Sequence, residues 1–359
     1  MSEIWYNSIA MNIKKLVKPG VYSLKAYQAK EIPCKIKLDA NESPYGFRDF
    51  YNVLRSIKTN RYPDPEAKNL RKIIAKEFSV KPENILQGNG SDELIYYLIA
   101  TFGGPVLFPE PTFSMYGIIA TALDEKTLPV ALDGTFDLDI EKIFNHLKKE
   151  NPKLIFLSSP NNPTGNCFSS EKILKIIEKT TQKSIVIIDE AYQPFSSKKG
   201  YIPLLNDYEN LVIMRTLSKI GMAALRTGFL IAREEIIEQV NKVRLPFNLN
   251  SFSQKIACEI LRKKELLGKY IKSICNERDR LFKEMSKIKG VIAYPSEANF
   301  ILFKVENSEM VYKSLLKAGV LIRNMNSVVN DCLRVTIGTI KENNIFLEEL
   351  RKSILNTRN

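Results

Sequence analysis

Between residues 65 and 250 the chain alternates short apolar runs with amphipathic stretches, and few architectures accommodate that order. The runs are Asn84–Gln87, Val106–Phe108, Leu154–Leu157, Ile185–Ile188, Leu211–Met214 and Phe229–Ala232. Most are rich in Ile, Leu and Val with little polar alternation, which marks strands buried on both faces. The stretches Leu70–Phe78, Asp92–Thr101, Ile140–Lys149 and Glu171–Lys179 carry helical periodicity. Strands separated by helices make βαβ units and a mostly parallel sheet. After residue 250 the texture changes. A long amphipathic stretch, Gln254–Lys287, precedes two short strands, Phe300–Val305 and Leu333–Ile337, with a helix between them. The expected fold is therefore α/β, a mostly parallel sheet flanked by helices in a large domain, plus a smaller α/β domain.

The 359 residues are 44% hydrophobic and 26% charged, which is ordinary for a globular protein and ample for a core. The net charge of +13 raises the question of an acidic partner. Lysines, however, alternate with acids, as in EKILKIIEKT, which is the pattern of solvated helix faces. No zinc-finger or RNP pattern accompanies them, so the expectation is no nucleic-acid partner. Cys34, Cys167, Cys258, Cys275 and Cys332 are odd in number and lack a CxxC spacing. They read as reduced thiols of a cytoplasmic protein, not as a disulfide framework or metal site. No stretch approaches the roughly 18 apolar residues of a membrane span. The single histidine, His146, sits in the surface-helix pattern EKIFNHLKKEN. Base chemistry is thus expected from another residue type, with lysine the leading option.

In open parallel sheets, ligands bind at the carboxyl ends of the strands, and four segments follow apolar runs there. Gly88-Asn89-Gly90-Ser91-Asp92-Glu93 opens a helix after a strand, a site suited to an anion such as phosphate. On that segment alone, a plain helix start capped by Ser91 is the slightly favoured reading. Ser159-Pro160-Asn161-Asn162-Pro163-Thr164-Gly165 reads as a turn, with Asn162 able to donate to a ligand oxygen. Asp189 closes a fully apolar strand, where a carboxylate is costly without a cationic partner. A protonated ring nitrogen would serve; a helix cap or a metal ligand are the alternatives. Tyr192 lies three residues on. Lys219, in Thr216-Leu217-Ser218-Lys219, is placed for amine chemistry beside two hydroxyls, with Arg226 following. A phosphate cradle, a donor for a phenolic oxygen, a carboxylate for a pyridinium and a lysine for an aldehyde together match pyridoxal 5'-phosphate.

With SPNNPTG, IDEAY and TLSK in this order, the chain resembles the fold-type I, pyridoxal-phosphate-dependent aminotransferases, from Tyr27 to about Thr339. The segments LDANESP (38–44), RYPDP (61–65), EANF (297–300) and LRVT (333–336) resemble, more narrowly, the histidinol-phosphate aminotransferases. The resemblance implies that Lys219 carries the cofactor as a Schiff base and that Asp189 pairs with its ring nitrogen. Asn162 and Tyr192 would bond the phenolic oxygen. Ser91, Asp92, Thr216, Ser218 and Arg226 would hold the phosphate. Phe113 would stack on the ring, although a core aromatic is a close rival. Tyr62 would reach the phosphate from a neighbouring subunit, which implies a homodimer with a shared site. Arg334 would bind the carboxylate of glutamate or 2-oxoglutarate; Arg323 with Tyr27 would bind the phosphate of histidinol phosphate, and Asn41 would contact substrate. The implied division is an N-terminal arm and part of the small domain (1–45), a cofactor-binding domain (46–249) and a small C-terminal domain (250–359).

One departure stands out. The step from Lys219 to Arg226 is seven residues, one shorter than in many relatives. The implied reaction is transfer of an amino group from histidinol phosphate to 2-oxoglutarate in histidine synthesis. An aromatic amino-acid aminotransferase or a decarboxylase of a phosphorylated amino acid are the competing enzymes. A regulator that kept the fold would need a DNA-binding module, for which the segment before Tyr27 has no room. A nucleotide-dependent oxidoreductase is disfavoured because Glu93 replaces the third glycine of its fingerprint.

Overall fold

A computed structural model describes residues 12–26 and 32–356. Its twelve strands are β1 (Ile36–Leu38), β2 (Ile85–Gly88), β3 (Val106–Glu110), β4 (Thr127–Ala131), β5 (Leu154–Ser158), β6 (Ile185–Asp189), β7 (Leu211–Thr216), β8 (Gly228–Ala232), β9 (Val291–Ala293), β10 (Phe300–Val305), β11 (Val320–Asn324) and β12 (Cys332–Thr336). Seven of them form one sheet in the order β2-β8-β7-β6-β5-β3-β4. Every pairing in it is parallel except those of β8, which runs antiparallel to both β2 and β7. Two reversals restore direction, so β2, β5, β6 and β7 all point the same way and their carboxyl ends share one edge.

The central strands β5 to β8 are rich in Ile, Leu, Val and Phe and are buried almost throughout, as sequence continuity of apolar residues requires when both sheet faces are covered. Helices close both faces. Ile173, Ile176 and Ile177 of helix Ser170–Lys179 pack on one side, and Leu94, Leu98 and Ile99 of helix Ser91–Phe102 on the other. β4 has no counterpart among the apolar runs: it is an edge strand with alternating exposure and a proline at its centre, so its sequence carries half the apolar signal.

The second sheet has five strands in the order β1-β11-β12-β10-β9. Its edge strand β1 precedes the whole large sheet in the chain and pairs in parallel with β11, so a segment before the large sheet joins the sheet formed after it. The expected two strands, helix and amphipathic stretch are joined by β9 and β11, short segments with too few residues to show a period. The stretch read as Gln254–Lys287 is two helices, Ser251–Arg262 and Lys264–Ser286, broken at Lys263. Glu297 of this half accepts from the Ser197 N–H (2.6 Å) and hydroxyl (2.8 Å), while Arg278 donates to the Phe195 carbonyl (2.8 Å). These contacts fix the small sheet beside the carboxyl edge of the large one. Among the described residues no helix is long and apolar enough to cross a membrane.

Candidate active site

The carboxyl edge of the large sheet gathers the four segments anticipated from sequence. β2 ends at Gly88 and helix Ser91–Phe102 starts three residues later. Its N-cap is Gly90, not Ser91, and no side chain caps it, so the reading as an ordinary Ser-capped start fails. Gly90 has φ +88, and a Cβ there would run into Arg226 Nη2. A Cβ at Gly228 would lie 3.0 Å from the Ser91 nitrogen. Glycine at both positions therefore lets backbone amides and a guanidinium crowd together, leaving positive potential at a helix start.

Thr216, Ser218 and Arg226 complete this corner. Thr216 Oγ1 donates to the Thr227 carbonyl at 3.3 Å or to Ser218 Oγ at 2.9 Å, and accepts from the Ser218 N–H at 3.1 Å. Arg226 Nη2 is 3.3 Å from Asp92 Oδ2. The shortened step between Lys219 and Arg226 folds as two 3-10 turns around Gly221, whose φ of +99 reverses the chain. The reversal brings Arg226 back beside Gly90, so the missing residue does not remove the arginine from the corner.

Asp189, at the end of β6, is 3% exposed. Its Oδ1 accepts from the Ala191 N–H at 3.0 Å and its Oδ2 from the Tyr116 hydroxyl at 2.6 Å. Burial pushes its carboxyl up to about 6, and the charge of Asp92 adds to the rise. The two hydrogen bonds and Lys219 pull the other way. Two neutral donors do not replace the water lost by a buried carboxylate. The site is thus short of one cation, and it does not cap a helix. Tyr116 was not anticipated. It sits on helix Met115–Ala122, fully buried, stacked on Phe156 with centroids 4.8 Å apart. Burial first, and the Asp189 charge second, raise its hydroxyl well above the ordinary tyrosine range, so it stays a donor. In the sequence it reads as one more aromatic on an apolar helix, and its partner is 73 positions away.

Lys219 follows β7 in the first of the 3-10 turns. It is half-buried instead of enclosed. Its Nζ lies 3.5 Å from the Ala40 carbonyl and 5.9 Å from the Tyr192 ring centroid. Tyr192 is 4% exposed, and its hydroxyl accepts from Asn41 Nδ2 at 2.9 Å. Asn162 follows β5, and its Oδ1 accepts from Arg334 Nη1. Phe113 is half-buried, packed against the core with its ring nearly perpendicular to Tyr116 (5.6 Å). Glu190 is a second unanticipated group. It is fully buried and takes Arg215 Nε at 2.8 Å and the Tyr201 N–H at 2.6 Å, tying the segment after Asp189 to β7.

From the small sheet, Arg334 on β12 is 7% exposed, donates to the Asp39 carbonyl at 2.8 Å and lies 5.2 Å over the Phe300 ring. The antiparallel register places Arg323 of β11 directly opposite Arg334. Directly opposed residues share a face, so two guanidinium groups project from one patch, the outer one exposed. Asn41 is 2% exposed and reaches Tyr192 and Thr336. Tyr62 is 81% exposed and stacks on Phe247 at 4.5 Å, away from these contacts within the chain. Tyr27 lies outside the described residues.

These residues fit pyridoxal phosphate. The glycine-walled corner offers helix amides, hydroxyls and an arginine to a phosphate, and the buried Asp189 lacks the cation that a protonated pyridine supplies.

Comparison with known proteins agrees with this geometry. Residues 32–350 match the family model for aminotransferase class I and II. The chain is 43% identical over 351 residues to a histidinol-phosphate aminotransferase of Aquifex aeolicus, with 94% of this chain and 98% of that relative covered. It is 40% identical to one of Caldanaerobacter subterraneus subsp. tengcongensis, with 95% and 99% covered. The crystal structure of the histidinol-phosphate aminotransferase from Clostridium acetobutylicum is similar at a TM-score of 0.84 and 27% identity, covering 89% of this chain and 99% of that one.

Proposed function

The chain belongs to the aminotransferase class I and II family, and we propose that it transfers the amino group of histidinol phosphate to 2-oxoglutarate. The observation that carries the substrate is the opposed pair Arg323 and Arg334. Like charges directly across a strand pair are unfavourable by themselves. Paired on one face, they suit a ligand with anionic groups, and an arginine fork matches both carboxylate and phosphate. In this reading Arg334, whose other contacts reach Asn162 and Asp39, takes the carboxylate of glutamate or 2-oxoglutarate. The exposed Arg323 takes the phosphate, with Tyr27 as its expected companion.

When bound, pyridoxal phosphate supplies an aldehyde that captures amines and a protonated ring that draws electrons from the adjoining carbon. The chain's own residues do the rest. Ser91, Asp92, Thr216, Ser218 and Arg226 hold the phosphate, and Phe113 covers one face of the ring. Asp189, kept in place by Tyr116 and Ala191, holds the proton on the ring nitrogen. Asn162 and Tyr192 donate to the phenolic oxygen. Lys219 Nζ anchors the cofactor at rest, then takes the proton from the substrate α-carbon and later returns one. Tyr62, exposed on its own subunit, completes the phosphate contacts of a second copy, which makes the working unit a homodimer in the cytoplasm.

The test is a substrate comparison on Arg323→Gln. Loss of one charge-assisted hydrogen-bonding group costs about 1.5–3 kcal/mol, so kcat/KM for histidinol phosphate falls about 10- to 100-fold. The value for histidinol, which lacks the phosphate, stays nearly unchanged. Equal losses on both amines would remove the phosphate assignment. Faster release of CO2 from phosphothreonine than amino transfer from histidinol phosphate would favour a decarboxylase instead.

A further inference from the structure

Of the segments distinctive in sequence, EANF and LRVT both bond to one residue of LDANESP, Asn41. Its backbone carbonyl accepts from Asn299 Nδ2 at 3.0 Å, and its backbone N–H donates to Thr336 Oγ1 at 2.9 Å. Its side-chain Oδ1 accepts from Thr336 Oγ1 at 3.2 Å, and its Nδ2 donates to Tyr192 Oη at 2.9 Å. All four polar groups of the residue are engaged, at 2% exposure. The backbone stands at φ +55, a conformation that asparagine adopts more readily than most side chains. The two preceding carbonyls face the site as well: Asp39 accepts from Arg334, and Ala40 lies 3.5 Å from Lys219 Nζ.

The network fixes which way the amide of Asn41 points. Thr336 Oγ1 accepts the backbone N–H of Asn41 and donates its one hydrogen to Asn41 Oδ1, which turns Nδ2 to Tyr192. A Tyr192 hydroxyl that accepts from Nδ2 directs its own proton to a different acceptor. We propose that Asn41 is a positioning residue that turns the Tyr192 hydroxyl proton toward the phenolic oxygen of the cofactor, with Thr336 holding Asn41 in that orientation. The inference rests on the cofactor reading above and replaces direct substrate contact as the role of Asn41. The charged and titratable groups around Tyr192 are Lys219, with Nζ 5.9 Å from its ring centroid, Arg334, which lies over its edge-on neighbour Phe300, and Tyr116 with its partner Asp189.

A proton donor to the phenolic oxygen stabilises its deprotonated form and keeps the pKa of the bound chromophore low. Asn41→Asp reverses the hydrogen bond, because a carboxylate can only accept the Tyr192 proton. The experiment is an absorbance titration of the cofactor-loaded protein, comparing wild type, Asn41→Asp, Tyr192→Phe and the double variant. Asn41→Asp is expected to raise the chromophore pKa by about one unit, a tenfold change in proton affinity. In the Tyr192→Phe background the same substitution is expected to give less than half that shift, since only the through-space charge remains. Thr336→Val, which releases the amide of Asn41, is expected to shift the pKa in the same direction by less, and Thr336→Ser to restore the wild-type value. An equal Asn41→Asp shift with and without the Tyr192 hydroxyl, or no shift in a coloured protein, overturns the inference alone. A wild type that stays colourless after loading overturns the cofactor reading, and the inference with it.

Discussion

Asp189→Asn should make the cofactor-free protein more stable at neutral pH while removing its ability to use the cofactor. Asparagine is nearly isosteric. Its Oδ1 still accepts the Ala191 N–H, and its Nδ2 can donate to the Tyr116 oxygen in place of the bond now running the other way. What changes is the buried charge. The Asp189 carboxyl rises from 3.8 to about 6 on folding, chiefly through burial. At about 1.4 kcal/mol per pKa unit, holding it ionised costs the native state about 3 kcal/mol at pH 7. A group with a raised folded pKa binds its proton more readily in the native state. Native stability attributable to this group therefore falls as pH rises from about 4 to about 6 and levels off above. The assay is urea unfolding of cofactor-stripped wild type and variant across that range. Subtracting one curve from the other cancels the carboxylates they share. The stability gained by the variant should be small near pH 4 and grow to about 3 kcal/mol at pH 7. A difference that does not change with pH, or that shrinks as pH rises, would refute the argument that this carboxylate is held against a solvation penalty awaiting a cation.

Two other substitutions probe the same site. Tyr116→Phe removes the side-chain donor to Asp189 seen among the described residues, a bond to an ionised acceptor worth about 1.5–3 kcal/mol. It should move the Asp189 titration in the cofactor-free protein upward by about one to two units, read from the carbon-13 shift of labelled aspartate. Gly90→Ala places a methyl on a backbone at φ +88 and into Arg226 Nη2. Cofactor affinity should weaken about tenfold or more while the spectrum of what does bind is unchanged, measured by equilibrium titration with pyridoxal phosphate.

The large sheet was legible because β5 to β8 are buried on both faces and their sequences are apolar without interruption. The candidate-site segments were legible for a related reason: each places polar residues, glycine or proline immediately after such a run, where a buried strand must meet solvent or a ligand. β4 and β9 were not, since these edge strands show neither continuous apolarity nor a resolvable period, and β11 was not, since its apolar run Val320–Ile322 gives way at once to Arg323 and Asn324. Tyr116 and Glu190 escaped because their importance lies in partners brought close only by folding, Asp189 and Arg215. The same holds for Asn41. Its motif was visible, but its link to Tyr192 spans 151 positions. The opposition of Arg323 and Arg334 likewise depends on register, which the turn between β11 and β12 sets and which single-sequence patterning does not encode.

The account stands on Lys219 as the residue that holds the cofactor. Borohydride reduction of the pyridoxal-phosphate-loaded protein, followed by peptide mass mapping, tests this most directly. It should find a reduced pyridoxyl group on Lys219 and on no other lysine in comparable yield. Reduction that leaves Lys219 unmodified, or that marks another lysine instead, would contradict it.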